Sequence, residues 1–126
     1  MTQLLEIREK IKYPTAEMIR SAVLNHYDTV RKYAVPRESL YSAGWMLDIA
    51  RCIYTVRTGK IIGKTMAGEW AIEQRLVPDR AVMERIIEIR KDPLKYRDDK
   101  IALKWIATLG EEIQRFADVL EKELAI

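Results

Sequence analysis

Between Leu40 and Val56 apolar residues recur on two helical stripes, Leu40, Ala43, Leu47, Ala50 and Tyr54 on one and Trp45, Ile49, Ile53 and Val56 on the other. A helix that is apolar over most of its circumference cannot rest on a surface and has to be enclosed by other elements. Five glycines and four prolines leave few turn residues with which to build hairpins around it. The enclosing elements are therefore helices. The expected fold class is all-α: a mainly antiparallel helical bundle of four long helices plus one or two short ones, forming one domain over residues 1–126.

The remaining chain divides at its breakers. Residues 2–12 read as a short helix stopped by Tyr13 and Pro14, and Thr15 opens a long amphipathic helix to about Tyr33. Pro36 is expected to start the central helix, since proline suits a first helical turn, and Gly59 to end it in the left-handed conformation. Thr65 is the expected cap of the next helix. The Val77-Pro78-Asp79 run stops that helix and starts another from Arg80 to Lys91. Residues 92–99 read as a loop, with Asp98 or Asp99 capping a last helix to about Glu123. Gly110 falls inside that last helix, where a residue without a side chain permits a close helix crossing.

Charge is concentrated where the central helix ends. Arg51, Arg57, Lys60 and Lys64 occur without an intervening acidic residue. The amides of a helix N-terminus are unsatisfied and its dipole favours negative charge, so Lys64 beside such an end, with Arg51 and Arg57 reaching in, makes a receptor for phosphates. The same residues also suit a plain role, complementing the dipole of the helix they follow and staying solvated. On the residues alone the plain role is the commoner outcome. A nucleotide-binding P-loop is excluded, because three residues rather than four separate Gly59 from the Gly63-Lys64-Thr65 triplet, and no buried strand precedes it.

The run Arg51-Cys52-Ile53-Tyr54-Thr55-Val56-Arg57-Thr58-Gly59-Lys60-Ile61, with Lys64 and then Ala67-Gly68-Glu69-Trp70-Ala71, resembles the C-terminal helical domain of the aminoglycoside adenylyltransferases that act on streptomycin and spectinomycin. The resemblance implies a helical domain that closes over ATP and drug, working with a nucleotidyltransferase domain whose carboxylates bind magnesium. It implies that Arg51 and Lys64 contact the ATP phosphates. The Gly-Ser and Asp-x-Asp signature of the catalytic domain does not occur in this sequence. The expectation is thus a chain that contributes nucleotide contacts without performing the chemistry alone. Its partner domain is missing or separately encoded, and residues 1–14 are an entry segment from it. Positions that carry a tryptophan and aspartates in streptomycin-accepting members hold Lys32, Arg37 and Tyr41 here, and a nucleotide-facing tyrosine falls near Pro93, so the likeness stops short of naming the drug.

Other residues carry weaker signals. Glu69 and Glu73 stand one helical turn apart beside Trp70, an arrangement that could meet the ammonium groups of an aminoglycoside, although a solvated helix face with a core tryptophan is the simpler reading. Arg20 and His26, spaced Arg-x5-His, fit the loose motif of HEPN-type ribonucleases, an alternative in which histidine serves as general base; a core histidine on the stripe between Val23 and Val30 is the ordinary outcome. A third alternative is a non-catalytic bundle that forms a homodimer through an uncovered apolar face. A net charge of +3, with 22 basic and 19 acidic residues dispersed, does not point to nucleic acid. The single Cys52 reads as a buried thiol of a cytoplasmic protein. No apolar run reaches the length of a membrane span.

Overall fold

The computed structural model describes residues 14–126, and the short helix expected over residues 2–12 lies outside them. The described residues form seven helices and no strand: α1 Ala16–Tyr33, α2 Leu40–Thr58, α3 Lys64–Glu73, α4 Arg80–Lys91, α5 Pro93–Tyr96, α6 Lys100–Ala107 and α7 Gly110–Leu124. The all-α expectation holds. Helix α2 is the axis of the bundle and packs against α1, α3, α4, α6 and α7. Its Met46, Leu47, Ile49 and Ile53 are fully buried, and each such side chain contributes about 1.5–3 kcal/mol through burial.

Most helix starts are set by a side-chain oxygen that accepts orphan amides. Thr15 accepts from Met18 at 3.1 Å, Asp79 from Ala81 and Val82, and Asp99, rather than Asp98, from Ile101 and Ala102. Pro36 does not start α2. The helix begins four residues later, where Ser39 accepts from the Tyr41 amide at 3.3 Å, an acceptor that proline cannot supply. Within residues 92–99 the chain makes one helical turn, α5, because Asp92 caps it and Pro93 occupies its first position.

The expected last helix is two. After α6 the amides of Thr108 and Leu109 bond three residues back, to Trp105 and Ile106, and the Thr108 hydroxyl donates to the Trp105 carbonyl at 2.6 Å. That tightened turn re-aims the chain while keeping Ile106, Leu109 and Ile113 buried. Gly110 therefore begins α7 instead of lying within a helix, and a methyl group there would meet only Pro36, at 3.6 Å. The close crossing is elsewhere. A methyl group on Gly68 would stand 2.8 Å from Leu47 Cδ2 and 3.1 Å from Ile87 Cδ1, so α3 lies against α2 and α4 at a distance only glycine allows.

The first and last long helices are tied by a polar clasp. Arg31 donates to the Gln114 carbonyl, the Gln114 side chain, the Tyr27 hydroxyl and Asp118. Tyr27 in turn donates to Glu121 at 2.7 Å, and Gln114 donates back to the Val30 carbonyl at 3.0 Å. Burial works to lower the Arg31 pKa, but hydrogen bonds to Tyr27 and Asp118 outweigh it and the guanidinium pKa is raised.

Candidate functional site

Tyr41, Gly44, Asp48, Arg51 and Thr55 follow one another along α2 in steps of three and four residues, which places them on one side of the helix. This side looks away from the core: Tyr41 is 90% exposed, and Asp48, Arg51 and Thr55 are partly so. At the end of α2, Gly59 adopts φ +71° with its N–H bonded to the Thr55 carbonyl, as a left-handed cap. The chain then returns beside the helix it has just left. Two side chains of α2 hold the return in place, Thr55 Oγ1 donating to the Lys60 carbonyl at 2.9 Å and Arg51 Nε to the Ile62 carbonyl at 3.0 Å.

That return brings Lys64 back over α2. Its Nζ lies 3.4 Å from Asp48 Oδ1, and Arg51 Nη1 lies 3.6 Å from the same oxygen. Gly44 leaves plain backbone beneath the ammonium, since a methyl group at that position would stand 3.5 Å from Nζ. Arg51 and Lys64, far apart in sequence, are thereby brought together around one carboxylate. Both separations exceed the 2.7–3.2 Å of an N–H···O bond, so the attraction is electrostatic and both cations keep donors to offer. With side chains 25–38% exposed, such pairs contribute about 0–1 kcal/mol to stability. The cluster is not what holds the fold together.

The start of α3 adds to the positive field. Its cap position is Gly63, with no side chain to accept an amide, and Lys64 is the first helical residue. Thr65 does not cap: it lies one residue inside the helix, where its backbone is already helical. The first-turn amides of α3 thus lack a side-chain partner, unlike those of α1, α2, α4, α5 and α6. Two cations beside an uncapped helix N-terminus form a site chemically suited to a polyanion.

The other expected site residues disperse. Arg57 leaves the site and reaches across the bundle to Glu123, with its guanidinium 5.8 Å from the centre of the Trp70 ring. Trp70 is packed edge-on against Tyr54, ring centres 5.2 Å apart and planes at 88°, as a part of the core boundary. Glu69 is exposed and paired with Lys91 at 2.6 Å, while Glu73 is exposed at the end of α3. Arg20 donates to the Leu124 carbonyl at 2.8 Å and so closes the end of α7. His26 instead lines a cavity with Asp48 and Arg51. No described hydrogen bond or shared cavity joins Arg20 to His26, so nothing here supports the ribonuclease alternative. Cys52, half-buried on the same wall, has its thiol pushed up to about 12 by burial and by Asp48, which leaves it protonated and unreactive.

Asp48 is the residue that sequence reasoning passed over. It lies one turn before Arg51, outside the purely basic run that drew attention, and the i, i+3 spacing of the two was the signal available. Among the described residues no group of His, Cys, Asp and Glu is arranged to hold a metal ion, and no helix is long and apolar enough to cross a membrane.

Compared with known proteins, residues 12–123 match the family model described as aminoglycoside adenylyltransferase, C-terminal domain. No curated protein and no solved structure matches the chain.

Proposed function

The chain belongs to the family of aminoglycoside adenylyltransferase C-terminal domains, and from that premise we propose that its work is to bind the phosphates of ATP through Arg51 and Lys64. The observation that carries this reading is their convergence on a single Asp48 oxygen at the uncapped start of α3. A triphosphate offers many more oxygens than one carboxylate, and the donors that the long contacts to Asp48 leave open can engage them with charge-assisted bonds. Arg51 is held in aim by its Nε bond to Ile62, so less of its freedom is lost on binding.

In this account the domain positions and neutralises, and a nucleotidyltransferase domain performs the transfer. That partner, elsewhere in a longer chain or on a separate one, supplies the carboxylates for magnesium. The triphosphate is fixed between the two, and a hydroxyl of an aminoglycoside attacks the α-phosphorus in the partner's site, giving its proton to a base there as the α–β phosphoanhydride bond breaks and pyrophosphate leaves. Glu73 is the more available of the two carboxylates for an ammonium group of the drug, because Glu69 is already engaged by Lys91. The activity so assigned is antibiotic resistance by adenylylation, exercised in the cytoplasm.

Titration of the protein with ATP and magnesium, followed by amide NMR, tests the proposal. Shifts should concentrate between Arg51 and Trp70, and Lys64→Ala should weaken binding about tenfold, the equivalent of about 1.4 kcal/mol. An absence of shifts at millimolar nucleotide, or binding indifferent to Lys64→Ala, contradicts it.

A further inference from the structure

The cluster of Arg51 and Lys64 contains an anion of its own. Asp48 Oδ1 stands 3.4 Å from Lys64 Nζ and 3.6 Å from Arg51 Nη1, and among the described residues neither cation is paired with another carboxylate. An acid in that place is the opposite of what anion affinity by itself asks for, because two cations and one carboxylate leave a single net positive charge. The fold has little need of it, since contacts of this length and exposure contribute little to stability. Its effect falls on what the cluster binds.

The carboxylate is also held in position. Asp48 lies on α2 between Leu47 and Ile49, both fully buried, and its side chain is short and only 25% exposed. The cations around it are placed as well. Arg51 is aimed by its Nε bond to the Ile62 carbonyl at 3.0 Å, and Lys64 rests over the bare backbone of Gly44. The Asp48 oxygen therefore stands where one oxygen of a single phosphate would bridge both cations. Orthophosphate can take that position only against a fixed negative charge, in a partly sheltered site where repulsion is stronger than in water. A longer polyphosphate does not need it. Its separate phosphate groups can each take outward donors of Arg51 and Lys64, and a further group can reach the uncapped first turn of α3.

We propose that Asp48 is a specificity-determining residue: its carboxylate stands in for a phosphate oxygen between Arg51 and Lys64, and so bars single phosphates from a site that polyphosphate chains still enter. The inference rests on the phosphate reading above and adds to it the choice among phosphates.

Asp48→Asn keeps the shape of the side chain and removes its charge. Parent and variant are titrated with orthophosphate and with tripolyphosphate, and binding is read by NMR from the amides between Arg51 and Lys64. In the parent, tripolyphosphate should shift those amides and orthophosphate at equal concentration should not, a comparison that needs no variant to fold. Asp48→Asn should strengthen orthophosphate binding about tenfold or more and tripolyphosphate binding by no more than about threefold, selectivity being the difference between the two affinities. Asp48→Glu, which keeps the charge, should keep the parent's preference. Equal strengthening of both anions, or an orthophosphate affinity that Asp48→Asn leaves unchanged or lowers, overturns the proposal while the phosphate site stands. A parent that takes orthophosphate as readily as tripolyphosphate, or a preference lost in Asp48→Glu, does the same. If tripolyphosphate moves none of those amides, the phosphate reading falls and takes the role of Asp48 with it.

Discussion

At the scale of single residues, the described chain holds one carboxylate in a costly place. Glu112, in the first turn of α7, has a buried Oε1 without a partner. Burial raises its pKa, Asp79 raises it further, and Arg115 opposes the shift only in part. The folded state thus holds this proton to higher pH than the unfolded chain does, so stability falls as pH rises from the unfolded pKa through the folded one. Glu112→Gln should therefore melt higher than the parent protein at pH 7, and the advantage should shrink as pH falls toward 4. Thermal melts across that range check it; an advantage that grows toward acid pH contradicts it. Arg51 and Lys64 were nominated at this scale because cations beside a helix start have a known chemistry. The approach of both to Asp48 was not foreseen, because its meaning comes from what lies across a gap in space. Arg57 was misread for the same reason: nothing near it in sequence announces Glu123.

At the scale of elements, caps and breakers located most helices, and the failures share a cause. The break at Thr108 and Leu109 interrupts no hydrophobic stripe, since Ile106, Leu109 and Ile113 all remain buried across it. Periodicity alone consequently reads one helix where there are two. The close crossing was expected at Gly110 because that glycine fell inside what read as one continuous helix, whereas Gly68 lies in the first half of a short helix whose neighbours periodicity does not name. The two glycines should separate cleanly on substitution. Gly68→Ala places a methyl group against Leu47 and Ile87, both buried, and overpacking of about 1–3 kcal/mol should exceed the gain in helix propensity of up to about 1 kcal/mol. Gly110→Ala meets no such obstacle and should be neutral or stabilise by about 0.5 kcal/mol. Chemical denaturation distinguishes them, and equal effects at both positions contradict the assigned crossing.

For the molecule as a whole, α2 serves as both the core of the bundle and the base of the site. Its inner stripes are buried among α1, α3, α4, α6 and α7, and its outer side carries Asp48 and Arg51. The candidate site is therefore built on a largely buried helix, and the clasp from Arg31 ties α1 to α7 through residues other than those of the cluster. Arg31→Met should destabilise the fold by about 1 kcal/mol, by removing several part-buried hydrogen bonds, yet leave ATP affinity within about twofold wherever the protein remains folded. A loss of affinity beyond that would tie the clasp to the site. The sequence pattern sufficed for fold class and family, because both depend on periodicity and local motifs. The cavity depends on how α1 leans on α2, which no local pattern encodes. The central claim, that Arg51 and Lys64 grip one polyanion together, is most directly tested by a calorimetric double-mutant cycle with ATP and magnesium, using Arg51→Ala, Lys64→Ala and both combined. The account predicts a coupling energy of about 1 kcal/mol or more, as expected for groups sharing a partner; losses that add to within about 0.3 kcal/mol would mean that the two cations act separately, and the shared phosphate site would be wrong.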